Sequence, residues 1–237
     1  MLIRFINSIG NKTILFIITF YEVFLFGLVY LSHLFNPKYY NTKVFNALVH
    51  NIYHTSILII PYFVIVAFFF GSIGIGFIIS LATQYNVQEQ IGSVIVTFVI
   101  SHFSLIFTAL FLSFRSNILL KTNIFDDSIL PLIIGSIIST MSLSILFSII
   151  TISSAFVFTF FFMNMDLHTY KYLIYTALEV EDIIMMLIKS IVFGFTIILI
   201  PIYNIQKAKK NTLLKVFVFI FFIEIFFLLL QKVIHAI

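Results

Sequence analysis

Apolar residues in this chain run on without a polar face. Five runs stand out, at 57–81, 94–114, 129–162, 183–200 and 213–230. A helix that crosses a bilayer needs about 20 apolar residues, because each adds about 1.5 Å through about 30 Å of hydrocarbon. The five runs therefore predict five membrane-spanning helices. The third is too long for one perpendicular crossing and must tilt, project beyond the bilayer or break near its Ser/Thr-rich middle. Pro61, Pro131 and Pro201 each fall near a predicted helix end, where a missing N–H is tolerated. A further run, 14–35, is apolar enough to span but carries Glu22 and His33 and has basic residues on both sides.

Charge arbitrates between five spans and six. With five, Arg4, Lys12, Lys38, Lys43, Arg115, Lys121, Lys207, Lys209, Lys210 and Lys215 share one side, ten of the 13 Lys and Arg residues. Basic residues concentrate on the cytoplasmic side of membrane proteins. The opposite side then receives 82–93, with no Lys or Arg, and 164–182, with Asp166, Glu179, Glu181 and Lys171. A sixth span would move Arg4 and Lys12 across, so 14–35 is expected to be an interfacial or elbow helix, with the N-terminus cytoplasmic. Only 9% of residues are charged and 62% are hydrophobic, against about 25% charged in soluble domains. The expected fold is thus all-α: one membrane domain over 1–237, with an N-terminal interfacial region at 1–56 and a five-helix bundle at 57–237. The net charge of +4 gives no sign of nucleic-acid binding. With no cysteine, thiolate metal sites, disulfides and cysteine nucleophiles are excluded. No signal-peptide cleavage site follows Met1, so the chain is expected to be mature from there.

Candidate chemistry is sparse. Asp182 and Lys189 are two helical turns apart and share one face of a span; a lysine there must pair or snorkel, as an interfacial anchor would. His102 lies mid-span, suited either to a lipid cavity or to hydrogen bonding between helices. Ser136, Thr140, Ser144 and Ser148 recur every four residues, a stripe fit for close helix packing, a dimer interface or a lipid groove. His50 and His54 have helical spacing for a metal, but Asn51 stands where the helical zinc motif has Glu. Gly71, Gly74 and Gly76 follow no strand and read as packing glycines, not a dinucleotide fingerprint. Neither a catalytic site nor a cofactor or metal site is expected.

One block is more specific. From Asp182 the chain reads Asp182-Ile183-Ile184-Met185-Met186-Leu187-Ile188-Lys189-Ser190-Ile191-Val192-Phe193-Gly194. This resembles the signature of MlaE-type permeases: an acidic residue, an apolar turn, Ile-Lys-Ser, then Val-Phe-Gly. Two further stretches are similar to that family, 48–115 ending at Arg115, and Leu130-Pro131-Leu132; Ser8-Ile9-Gly10 is similar to its opening helix. The resemblance implies a homodimeric, non-enzymatic permease of an ABC transporter in the inner (cytoplasmic) membrane. It would move phospholipids or related lipids and maintain lipid asymmetry, powered by a cytoplasmic ATPase and served by an MCE-domain lipid-binding protein. Family-motif residues here are Asp182, Lys189, Ser190, Phe193 and Gly194. Arg115, Lys121 and Lys207 would face the ATPase, anionic lipid or solvent.

The chain also departs from the family. Ser101-His102 replaces an Arg-Glu pair, and Gln206-Lys207-Ala208-Lys209-Lys210 replaces a Gly-rich loop. Between Arg115 and Pro131 there are too few residues for the family's cytoplasmic coupling segment. Glu89-Gln90-Ile91 is no substitute, because it precedes the second span and lies on the outer side. A structural or scaffolding subunit that has lost ATPase coupling is the alternative function.

Overall fold

A computed structural model describes residues 2–85, 91–122, 129–206 and 212–234. The described residues are helical almost throughout and contain no strand. In chain order the helices are α1 (Leu2–Leu34), α2 (Thr42–Thr55), α3 (Ile60–Phe69), α4 (Gly76–Gln84), α5 (Ile91–Val96), α6 (Ser104–Thr122), α7 (Ile129–Met163), α8 (Leu167–Ala177), α9 (Val180–Gln206) and α10 (Thr212–Ile234). Two π-helical segments, Phe70–Ile75 and Thr97–Phe103, join α3 to α4 and α5 to α6. The all-α membrane bundle expected from the apolar runs is the fold found.

Among the described residues, six stretches are long and apolar enough to cross a membrane. Four contain predicted spans, Thr42–Ala82, Ile129–Phe162, Val180–Ile205 and Leu213–Lys232, and a fifth, Thr97–Arg115, overlaps the predicted 94–114 but starts three residues later. The sixth, Ile17–Leu34, is the uncertain run and belongs to α1. Phe20 of α1 stacks on Phe219, with centroids 5.3 Å apart, and Glu22 accepts a hydrogen bond from Tyr203. From Glu22 to Leu34, about 18 Å of helix, its partners on α9 stay between Phe195 and Tyr203, and its last turn packs near Ile133. So α1 crosses α9 obliquely at one end of the bundle.

α7 is the helix on which the others assemble. Its 35 residues extend about 52 Å, more than the hydrocarbon thickness. It runs unbroken through its Ser/Thr-rich middle, so the excess length is taken up by tilt or projection. On one side, α2, the π-helical segment and α4 run parallel to α7 in a constant register. Thr55 meets Ser139 at 2.9 Å, Thr151 donates to the carbonyl of Ala67 at 3.4 Å, and Gly71 lies against Thr151 and Ser154. Asn51 donates to the carbonyls of Pro131 and Leu132 at 3.3 and 3.4 Å. α2 thus docks on the bundle, and the 3-10 turn Ile57–Ile59 separates it from α3. Pro61 lies in the first turn of α3, where its missing N–H would be unpaired anyway. Pro201, in contrast, lies inside α9, which continues to Gln206.

The opposite end of the bundle is closed by α8. Gly92 of α5 packs against the carbonyl of Leu173, and a Cβ there would come within 2.2 Å. The turn into α8 passes through Asn164 at φ 51°, a left-handed conformation that Asn tolerates better than most residues. Asp166 caps α8 by accepting from His168 N at 3.1 Å, Thr169 N at 3.3 Å and Thr169 Oγ1 at 2.5 Å. The Thr169 hydroxyl, then the Thr169 amide, hold its carboxyl below the usual carboxylate range.

Two expectations follow. Gly71→Ala would drive a methyl group to within 2.0 Å of Ser154 Oγ and 2.2 Å of the Thr151 carbonyl. It should cost about 1–3 kcal/mol, as overpacking does, and lower the melting temperature in detergent. Gly10→Ala, with nothing within 4 Å, should leave that temperature unchanged or slightly raised. Because the Asp166 pKa is depressed by folding, its cap is fully present above the ordinary carboxylate range and is lost as pH falls through the lowered value. Hydrogen exchange at the first amides of α8 should therefore accelerate, relative to other helix ends, only in strong acid, and Asp166→Ala should show the fast rate at neutral pH.

Candidate functional site

Three spans meet at a buried ionic cluster. Lys189 of α9 has 0% exposure, and its ammonium donates to the Ser101 carbonyl at 2.8 Å and to Glu224 Oε1 at 2.9 Å. His102 Nδ1 lies 2.5 Å from the same carboxylate oxygen and 3.2 Å from the ammonium. A neutral ring nitrogen cannot both donate to Glu224 and accept from Lys189, so the tautomer of His102 decides which of the two contacts is a hydrogen bond. The ring of Phe227 lies 5.8 Å from the ammonium. Glu224 Oε2 is buried and has no hydrogen-bond partner.

Local structure explains the convergence. Ser101 and His102 belong to the π-helical segment Thr97–Phe103, whose wider turn alters the direction of side chains and carbonyls. Ser101 serves two partners there: its carbonyl accepts from Lys189, and its hydroxyl donates to Asp182 Oδ1 at 2.7 Å. The two-turn spacing of Asp182 and Lys189 therefore becomes a shared attachment to one residue of the neighbouring helix. Above the cluster, Ser93, Thr97, Glu179, Asp182, Gln231 and Lys232 are among the residues around a cavity of about 340 Å³. This polar vestibule lies at the end of the bundle that carries α8.

Below Lys189 the seam turns apolar. Phe193 and Ile197 of α9 and Ile220 of α10 are each fully buried. The charged groups are therefore separated from the far end of the bundle by close-packed hydrocarbon.

The family-motif residues divide between two surfaces. Asp182 and Lys189 enter the polar cluster. Ser190 donates to the Leu187 carbonyl at 2.7 Å, Phe193 fills the core, and Gly194 lets α7 approach, since a Cβ would lie 2.6 Å from Ile137 Cα. Ser136, Thr140, Ser144 and Ser148 are all buried. Thr140 donates to the Ser136 carbonyl at 2.8 Å and Ser148 to the Ser144 carbonyl at 3.0 Å. Gly194 lies against Ser136 and Ile137, and Ser148 lies 4.0 Å from Met186 Sδ. The stripe thus meets α9 of the same chain.

Other candidates lie apart. Arg115 donates through Nε and Nη2 to the His54 carbonyl at 3.4 and 3.3 Å, tying α6 to the end of α2. The rings of His50 and His54 contact each other, with centroids 4.3 Å apart, and no group of three or more potential metal ligands occurs among the described residues. The backbone of Lys121 belongs to α6, while Lys207 lies outside the described residues. Sequence reasoning passed over Glu224, although the signal was present: a single acidic residue inside the apolar run of α10, which in a membrane must find a partner.

Residues 118–229, just under half of the chain, match the family model Permease MlaE. Over this stretch the chain is similar to MlaE-type permeases. The matched stretch holds α7 to α9 and most of α10, hence Asp182, Lys189 and Glu224, while Ser101 and His102 precede it. No curated protein matches the chain.

The ion pair permits a sharp test. Truncating one member of a buried pair leaves an uncompensated charge and costs about 3–5 kcal/mol, whereas removing both leaves none. Lys189→Met and Glu224→Leu should each lower thermal stability strongly, and the double variant should recover most of the loss. Additive losses in a double-mutant cycle would show that the two side chains do not act as a pair.

Proposed function

We propose that this chain is the membrane permease subunit of an ABC transporter that moves phospholipids or related lipids between membranes and so maintains lipid asymmetry. The observation that carries the reading is the buried Lys189–Glu224–His102 cluster on MlaE-type spans. Ionisable groups inside a bundle are costly and mark substrate pathways. Chemistry at this site would be physical, with no bond made or broken: a path with polar and apolar zones whose shape follows the energy source.

In this reading the protein is a homodimer in the inner (cytoplasmic) membrane. Its N-terminus is cytoplasmic, and α1 is an elbow helix that leaves five crossings. The oblique contact of α1 with one end of α9 supports that placement. A cytoplasmic ATPase supplies the energy and an MCE-domain lipid-binding protein meets the vestibule side. Lys207 and its neighbours, with Arg115 and Lys121, face the ATPase or anionic headgroups, which are worth about 1 kcal/mol per basic residue near the surface.

The connection between α6 and α7 favours a second reading. Only residues 123–128 separate the end of α6 from the start of α7, too few for a coupling helix. A scaffolding subunit without ATPase coupling would have this form.

Purification of the tagged chain from detergent-solubilised membranes separates the two. A working transporter should bring down an ATPase and phospholipid together, and the double variant Lys189→Met/Glu224→Leu, which leaves no unpaired buried charge, should abolish lipid transfer in reconstituted vesicles while leaving the ATPase bound. Phospholipid without an ATPase would reject the transport reading in favour of the scaffold.

A further inference from the structure

His102 Nδ1 stands between two groups that ask opposite things of it. The ionised Glu224 Oε1, 2.5 Å away, can only accept a proton from it, while the Lys189 ammonium, 3.2 Å away, can only donate one to it. Neither neutral tautomer answers both. With a hydrogen on Nδ1 the ring meets the ammonium hydrogen to hydrogen, and without one it meets the carboxylate lone pair to lone pair. The imidazolium answers the carboxylate, since both of its nitrogens carry hydrogens, but it sets a second positive charge 3.2 Å from the first. A proton on His102 therefore changes which helix the ring serves: α10 gains a charge-assisted hydrogen bond and α9 loses a partner.

The charges around the ring leave room for that proton. The ionisable side chains that meet it are Lys189 of α9 and Glu224 of α10, and Asp182 of α9 is held beside it by the Ser101 hydroxyl. Glu179 and Lys232 lie further out, around the vestibule. α5, α7 and the segment Phe70–Ile75, which also contact this part of the chain, carry no ionisable side chain. Two carboxylates thus stand against one ammonium, and an imidazolium brings the four groups to neutrality. Glu224 has a further oxygen to offer, because Oε2 is buried without a hydrogen-bond partner. Moving onto it takes the imidazolium away from the ammonium without giving up the carboxylate.

The proton has one way in. Thr97, one turn from Ser101, and Leu228, one turn from Glu224, both line the polar vestibule, as does Asp182 itself. On the other side Phe193, Ile197 and Ile220 are fully buried and close the seam with hydrocarbon.

We infer that His102 is a proton-binding site loaded from the vestibule side, and that its proton loosens the clamp between the π-helical segment and α9. The step moves one proton from vestibule water to an imidazole nitrogen and back, with no other covalent bond made or broken. Because the far side is sealed, the site binds protons without conducting them. The segment Thr97–Phe103 suits the task, being already out of α-helical register, and π-helical turns recur at functional sites. For any effect on lipid movement the inference rests on the transport reading above, whereas the protonation and the loosening belong to the chain alone.

The test places the full chain, with isotopically labelled histidine, in nanodiscs of phosphatidylcholine and follows the imidazole nitrogens by NMR from about pH 8 to about pH 5, the window in which histidine side chains change charge. The signal that disappears in His102→Gln belongs to His102. It should pass from one protonated nitrogen to two within that window, and a ring that keeps an unprotonated nitrogen throughout overturns the site. Should His102→Gln fail to fold, replacing His33, His50, His54, His168 and His235 by Gln leaves the His102 signal on its own. Spin labels on Phe98→Cys and Ile191→Cys, unambiguous in a chain without cysteine, then read the clamp. Their separation should grow by about 1–2 Å over the same window, the size of helix shifts at packed interfaces. It should stay fixed in Lys189→Met/Glu224→Leu, which has no ammonium to repel the imidazolium. A separation that ignores pH, or responds equally in the double variant, overturns the loosening. Proteoliposomes of the chain should hold a pH gradient as protein-free vesicles do, and a leak that His102→Gln abolishes would overturn one-sided access. A chain that shows both responses yet brings down no ATPase keeps the proton site and loses only the transport reading.

Discussion

A lysine with no exposed surface inside a membrane bundle is tolerable only if the bundle brings its partners to it, and this requirement organises the α6–α9–α10 seam. Solvation of an ammonium by water must be replaced by a carbonyl, a carboxylate and close geometry. Ser101, His102 and Glu224 supply that replacement from two other helices. None of the three elements satisfies Lys189 alone. Their association is therefore specified by position as well as favoured by packing, which matters in hydrocarbon, where apolar helices gain nothing from leaving lipid for one another.

The π-helical segment at Thr97–Phe103 is the local device that makes this possible. By presenting the Ser101 carbonyl and hydroxyl to two residues of α9, it converts one point of contact into a clamp spanning two turns. The other such segment, Phe70–Ile75, places Gly71 directly on Thr151 and Ser154 of α7. Both irregular turns therefore lie at contacts between helices. Their unequal consequences follow from their residues, since the first carries polar groups and the second glycines.

α7 plays a different part. Its two small-residue faces, Ser136 to Ser148 towards α9 and Ser139, Thr151 and Ser154 towards α2 to α4, let a single long helix be approached from both sides. Serine and threonine suit that place because their hydroxyls bond back to their own helix carbonyls, leaving small, satisfied surfaces. The ionic clamp and these close-packed faces act on opposite sides of α9, holding it between α7 and the α6–α10 pair.

Much of this was legible in the residues themselves. Apolar runs of spanning length determined the class of fold and five of the spans, because the bilayer thickness sets the helix length and no tertiary choice can alter it. The order Asp182, Lys189, Ser190, Phe193, Gly194 was likewise readable, and so was its likeness to MlaE-type permeases. Partners were not readable. Lys189 and Glu224 are 35 residues apart on different helices, and Ser101 and His102 lie on a third, so only the rotation of each helix about its own axis decides who meets whom. Uniformly apolar spans leave that rotation undetermined, since a helix that is greasy all round has no hydrophobic face to turn inward. The same holds for the stripe on α7, whose spacing announced close contact without naming α9, and for α1, whose composition allows a crossing and whose oblique packing is a property of the assembled bundle alone.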